Sequence, residues 1–318
     1  MTRVVGDAVT SSDRRDSMAR DAAAERAARL AGEPWRVIGA APGFFRGSLT
    51  SVRSIAEQGE LLVLLTRREI KSRYKDSVLG FFWSTTRPLT MLLIYWLVLG
   101  RILGAQRSVP EFAIFVFSGL TAWGFYSEIV QQGTASIVAN AGLVKKVYVP
   151  REIFPLSTLG SATFNFVIQL AILVAFTAVR GQFPTGSRWI YALAGIVLLM
   201  VLGAAMSLLL SALNVYLRDV QYLVEVGFMV LMWASPIVYS WGLVTRSTPD
   251  WVQELYLWNP MTLVVFAFHR AFWVAGDGEP FPSDLTPRFA VALAVSLVLL
   301  WLAQRVFSRL QGNFAQEL

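Results

Sequence analysis

Two apolar runs carry residues that hydrocarbon does not tolerate cheaply. "FSGLTAWGFYSEIVQQ" (117–132) holds Glu128 with Gln131 and Gln132, and "FFWSTTRPLTMLLIYW" (81–96) holds Arg87. A charge inside a membrane-length segment marks a pathway, a pair or a buried cavity. At 1.5 Å per residue, both charges lie ~14–15 Å in from the basic ends of their runs, so they can meet. One reading is an Arg87–Glu128 ion pair, within a subunit or across a dimer, that orders the helices around a path. The other is that Arg87 snorkels to the surface while Glu128 faces a polar channel with Gln131 and Gln132.

The remaining residue chemistry is sparse. The chain has one histidine and no cysteine, which excludes disulfides and thiolate metal sites. There is no GxxxxGK[ST] loop to cradle a nucleotide phosphate and no HExxH. His269 sits in the apolar "FAFHRAFW", where a lone imidazole reads as a satisfied polar residue or interface anchor before a catalyst. Catalytic residues and metal ligands are therefore expected to be absent. Transport or assembly is left.

The elements that must position these residues follow from composition. Of 318 residues, 55% are hydrophobic and 15% charged, which is too little polar surface for a water-soluble chain of this length. The formal charge of +7 could suggest nucleic acid, but the cations flank apolar runs, so no nucleic-acid partner is expected. A spanning helix needs about 20 apolar residues. Six runs qualify: 78–103, 112–138, 153–179, 189–216, 222–243 and 287–308. The stretch 251–273 is apolar too, but Asn259-Pro260 breaks it into pieces too short to span, which predicts a re-entrant or interfacial pair. The fold class is all-α, integral membrane. Residues 1–57 are polar, with no apolar signal core, and read as a largely disordered cytoplasmic tail.

Orientation follows from the short loops. With the amino terminus inside, eleven Lys and Arg residues fall on the cytoplasmic side and seven outside, the bias being strongest beside the first span. Residues 311–318 then return to the cytoplasm. Before the first span, "ELLVLLTRREIKSRYKD" (60–76) sets Arg67, Arg68, Lys71 and Lys75 along one helical arc, beside a stripe of Val63, Ile70 and Tyr74. Arg73 falls outside that arc. The pattern fits an amphipathic interface helix over 58–77, cations toward headgroups, or ordinary flanking charge.

The loop 140–152 carries Lys145, Lys146 and Arg151 and is capped by Pro150 and Pro155. Its cations hold it inside, and its prolines stiffen it. Arg218-Asp219, in "YLRDV", ends a long span as either a surface charge pair or a protein contact. The aromatics have two readings as well, as a membrane-interface belt or as stacking surfaces for sugars.

In order and spacing, five segments resemble one family: "REIKSRYKDSVLGFFWSTTRPL", "FSGLTAWGFYSEIV", "ANAGLVKKVYVPREIFPLS", "LNVYLRDVQYLVEVGFMVLMWASPIVY" and "LWNPMT". They are similar to ABC-2-type export permeases for polysaccharides and polyol phosphates, the membrane subunits of O-antigen, capsule and teichoic acid exporters. The resemblance covers roughly residues 58–310. It implies a plasma-membrane homodimer of six-span subunits (78–310), with cytoplasmic termini and short re-entrant external helices (246–285) before the sixth span. It also implies two separate nucleotide-binding ATPase subunits, which would hold the ATP and magnesium, and a lipid-linked glycan or polyol phosphate as cargo.

Carried over by motif, the coupling contacts with the ATPase become Lys145, Lys146, Val149, Pro150, Arg151, Glu152, Arg218 and Asp219. The headgroup-facing interface helix takes Arg67, Arg68, Lys71, Arg73, Tyr74 and Lys75. The translocation path takes Phe82, Trp83, Arg87, Tyr95, Glu128, Phe228, Trp233 and Tyr239. Rival readings are an ABC-2 drug or lipid exporter, a membrane-embedded glycosyltransferase and a secondary transporter. The acids a glycosyltransferase would cluster are scattered here (Asp250, Glu254, Asp277, Glu279 and Asp284), and the two halves of the chain show no similarity that would suggest inverted repeats.

Overall fold

The computed structural model describes residues 56–75, 82–146 and 149–318, together with Glu25. All elements below belong to the second of two compact units, residues 40–318. The expected tail, residues 1–57, lies outside the described residues except for Glu25, Ala56 and Glu57.

The described residues form helices and turns without a strand. The helices are α1 (Gly59–Tyr74), α2 (Phe82–Tyr95), α3 (Phe112–Ala139), α4 (Ala141–Lys146), α5 (Ile153–Val179) and α6 (Arg188–Tyr216). They continue with α7 (Val220–Trp233), α8 (Trp241–Ser247), α9 (Asp250–Trp258), α10 (Pro260–Phe272), α11 (Leu285–Leu310) and α12 (Phe314–Glu317). Four helical stretches are long and apolar enough to cross a membrane: α3, α5, α6 and the stretch Leu285–Glu317 that contains α11. With 28 residues, α3 is ~42 Å long, against a hydrocarbon core of ~30 Å.

The expected fifth span is shorter than the sequence suggested, and the expected first, 78–103, is helical from its first described residue, Phe82, to Ile102. The first is an α-helix only to Tyr95 and then widens into a π-helix, Trp96–Ile102. The fifth, expected over 222–243, stops at Trp233 after 14 residues, ~21 Å. Pro236 explains the stop: it lacks a backbone donor and disfavours helical geometry at Ser235. The chain turns there and restarts as α8.

Asn259-Pro260 divides the next stretch as expected. The Asn259 side chain accepts a hydrogen bond from Met261 N at 3.0 Å, capping α10, and Pro260 occupies its first turn. The two pieces then part company. α9 shows Trp251, Leu255 and Trp258 outward, whereas α10 is buried on nearly every side and packs against α3 and α6. α10 is therefore a core helix rather than a surface cover. His269, on α10, is buried with Nε2 3.1 Å from Phe115 O and its ring stacked on Phe115 at 4.1 Å, the satisfied polar residue of the sequence reading.

The bundle centres on α3 and α6, flanked by α5, α10 and α11. Small residues bring the two central helices together, since a Cβ on Gly133 would overlap Ser207. Asn214 Nδ2 donates to Thr134 O at 3.1 Å across the same seam. α1 packs along α5, where Gly160 leaves room for Thr66: a Cβ there would stand 2.9 Å from Thr66 Cγ2.

Candidate functional site

Facing stripes on α3 and α5 build the site. On α3, Leu120, Trp123, Gly124, Ser127, Glu128, Gln131 and Gln132 recur at three- and four-residue spacing, so they share one face. On α5, Ser157, Ser161, Asn165 and Gln169 recur every four residues and form a polar ladder up an otherwise apolar helix. Pro88, Met91 and Tyr95 of α2 and Met232 of α7 close the sides of a cavity of about 500 Å³. That lies within the ~300–1,000 Å³ usual for small-ligand sites. Its lining mixes amides, hydroxyls and two large aromatics, Tyr95 and Trp123.

Arg73 reaches into this cavity from α1. Its guanidinium forms an ion pair with Glu128 Oε1, donates to Gln132 Oε1, and donates to Ser161 Oγ at 3.2 Å. Asn165 Nδ2 and Gln132 Nε2 also donate to Glu128 Oε1, at 2.6 and 3.2 Å. The Arg73 side chain is 27% exposed and Glu128 16%, so the pair is largely removed from bulk solvent. One turn back on α1, Glu69 accepts from Ser157 Oγ at 3.0 Å and Ser161 Oγ at 3.2 Å. Burial raises the Glu69 pKa, against the lowering effect of those hydroxyls and of Arg73 and Arg68. Arg68 donates to Asn140 Oδ1 at the C-cap of α3, tying α1 to the α3–α4 corner.

Among the described residues Glu128 forms its ion pair with Arg73, which the sequence reading set against headgroups. The side chains of Arg87, Phe82, Trp83 and Tyr74 lie outside the described residues. Arg67, Arg68, Lys71 and Lys75 are exposed, as the basic arc requires. The apolar stripe is corrected, because Val63 is 50% exposed and the face against α5 is Leu62, Leu65, Thr66, Glu69 and Arg73. Tyr95 lines the cavity. Phe228 packs between Trp123 and Tyr126, each 5.3 Å away. Trp233 points outward, and Tyr239 OH donates to Trp233 O at 2.6 Å, fastening the end of α7; neither side chain is part of the cavity lining. Glu69, Trp123, Ser161, Asn165 and Gln169 were missed. The four-residue polar ladder on α5 was the signal that could have found most of them.

A second cluster gathers at the α1 and α4 end. The helix inside the expected 140–152 element is short, Ala141–Lys146, with Lys145 and Lys146 exposed and Val144 buried. Val149 and Pro150 are half-buried, and Arg218 and Asp219 are exposed at the α6–α7 corner. Arg151 Cζ lies 5.7 Å from the Phe314 ring, and Glu152 accepts from Gln311 Nε2 at 3.4 Å. Burial raises the Glu152 pKa, its hydrogen bonds and Arg151 opposing. Phe314 is fully buried against Phe307 and Tyr216, and Tyr216 OH donates to Leu310 O at 2.8 Å. Residues 311–318 therefore join the loop after α4 to the end of α6.

Residues 60–273 match the family described as ABC-2 type transporter. The O-antigen export system permease protein RfbA of Myxococcus xanthus is 31% identical over 270 residues, 84% of this chain and 98% of that protein. The RfbA permease of Klebsiella pneumoniae is 26% identical over 260 residues, 81% of this chain and 95% of its own. The polysialic acid transport protein KpsM of Escherichia coli is 24% identical over 204 residues, 62% of this chain and 75% of its own.

Proposed function

We propose, for a chain that belongs to the ABC-2 type transporter family, that it is the permease subunit of an ATP-driven exporter. Its cargo is a lipid-linked polysaccharide or polyol phosphate of the O-antigen or capsule kind. The names of relatives matched over nearly their whole length support this reading. The observation that carries it at the level of residues is the cavity among α2, α3, α5 and α7, whose amides and aromatic faces suit a sugar. In the finer form, two copies of a six-span subunit sit in the plasma membrane with cytoplasmic termini. α2 and α7 complete the six with the four long helices. Two separate nucleotide-binding subunits dock on α4 and the α6–α7 corner.

The contacts suggest how force would travel. A push on α4 reaches α1 through Arg68 and Asn140, and α1 reaches the cavity through Arg73 and Glu128. Moving α1 by the length of a side chain breaks the ion pair and opens that side of the cavity. Cargo entry and ATP-driven closure then act on one contact.

Depletion of the protein tests the reading. Lipid-linked glycan should accumulate on the cytoplasmic leaflet and return to normal on re-expression, and unchanged distribution of every such glycan would sink it. The Gln131→Leu, Gln169→Leu double variant removes lining amides outside the Arg73–Glu128 network and so separates the cavity from the scaffold. It should insert and assemble normally but export at under about a tenth of the wild-type rate, if each lost hydrogen bond contributes ~1 kcal/mol.

A further inference from the structure

The end of the bundle away from α1 and α4 gathers three departures from regular backbone. α2 widens into the π-helix Trp96–Ile102, with Gly100 against the Phe112 ring, where a Cβ would stand 2.9 Å from Cδ1. Gly104 has φ 78° and Glu111 has φ 47°. For a glutamate that conformation is strained, and strained positions and π-turns cluster at binding sites. These irregular segments border a cleft of about 730 Å³ between α2, α3 and α5.

The cleft is amphipathic. Leu89, Leu93 and Trp96 form an apolar floor, and Arg101, Arg107 and Arg180 stand around it with a single acid, Glu111. Arg180 is committed to Glu111 by two hydrogen bonds, Nη2 to Oε1 at 2.7 Å and Nε to Oε2 at 3.1 Å. Arg101 lies over Trp96, its Cζ 4.8 Å from the ring centroid, which leaves guanidinium N–H edges available. Arg107 has no acidic partner among the described residues. Glu111 offsets one arginine, so the cleft carries an excess of positive charge beside exposed leucines.

We propose that this cleft binds the phosphate of a lipid, its head between Arg101 and Arg107 and its chain along Leu89, Leu93 and Trp96. Guanidinium groups match phosphate oxygens in pairs, and an apolar floor beside them selects an amphiphile over a free anion. A membrane phospholipid and a polyprenyl phosphate share this chemistry. The site stands on the cleft alone, and only the polyprenyl phosphate outcome below would connect it to the cargo assigned above.

Delipidated full-length protein in detergent, titrated with phosphatidylglycerol, with polyprenyl phosphate and with inorganic phosphate, tests it by native mass spectrometry. Both lipids, or one of them, should bind with a Kd that Arg101→Gln, Arg107→Gln weakens about tenfold or more. Binding of phosphatidylglycerol alone identifies the source as membrane lipid, and binding of polyprenyl phosphate alone as a carrier. Arg101→Lys, Arg107→Lys keeps the charge but loses the paired N–H donors, so it should bind more tightly than the double Gln variant and less tightly than wild type, which guards against misfolding. Arg246→Gln removes an exposed cation elsewhere and should change nothing. Equal lipid retention in wild type and the double Gln variant overturns the proposal. So does an equal loss in Arg246→Gln, or a preference for inorganic phosphate over both lipids.

Discussion

Arg73 shows how one residue can be placed by its spacing while its partners stay hidden. Helical spacing sets it apart from the exposed arc of Arg67, Arg68, Lys71 and Lys75, and that separation was visible in the sequence. Its destination was not, because the acid it meets lies 55 positions away and on another helix. Glu128 was recognisable as an anomaly in an apolar run. Its partner depended on how α1 lies along α5, which Gly160 and Thr66 decide. Glu128→Leu leaves a largely desolvated guanidinium, so it should destabilise the protein by about 3 kcal/mol or more, read as a lowered Tm in detergent. Glu128→Gln keeps the hydrogen bonds and should cost less, about 1–2 kcal/mol. A Tm for Glu128→Leu no lower than that for Glu128→Gln would show that the ion pair contributes little. Glu69 gives a pH prediction. Its pKa is raised in the folded chain, so the folded state holds its proton more tightly than the unfolded one. Stability from this site is then greatest at low pH and declines as pH rises above the ordinary carboxylate range. Glu69→Gln should flatten that decline in a Tm-against-pH series, and an unchanged slope would count against it.

At the scale of elements, the apolar runs and the break at Asn259-Pro260 were legible because proline chemistry and hydropathy are local. The end of the fifth helix at Pro236 was legible in principle and was overridden by the apolar residues that follow. The π-helix at the end of α2 was not legible, since it depends on the Phe112 ring meeting Gly100. The burial of α10 was equally hidden, because its sequence is as apolar as that of a surface helix in lipid. The closest helix contact is testable. Gly133→Ala drives a methyl into Ser207 and should force α3 and α6 apart, costing about 1–3 kcal/mol in stability. Adding Ser207→Gly opens space and should recover most of that loss. Failure to recover would place the damage elsewhere.

At the scale of the molecule, residues 311–318 link the loop after α4 to the end of α6 through Phe314, Gln311 and Tyr216. Sequence spacing gave no hint of this, since the groups come from three distant parts of the chain. Phe314→Ala empties a fully buried site and should loosen that joint at a cost of about 3–5 kcal/mol locally. With the proposed nucleotide-binding partner present, ATP hydrolysis should continue while export falls. Parallel loss of both would indicate failed assembly instead.

The shortness of α7 has a consequence for the membrane itself. Its ~21 Å falls well below the ~30 Å hydrocarbon core, yet Tyr222, Leu223, Val226, Met229 and Val230 are exposed along it. In the six-span arrangement proposed above, lipid against α7 thins rather than drawing the polar ends of the helix into hydrocarbon, at a fraction of a kcal/mol per Å of mismatch. Met232, at the end of α7, is also part of the cavity wall, so the thinned patch lies beside the site. In that arrangement a headgroup crossing beside α7 has less hydrocarbon to traverse than one beside the four long helices. Export reconstituted in short-chain phosphatidylcholine should therefore run faster than in long-chain bilayers of the same headgroup.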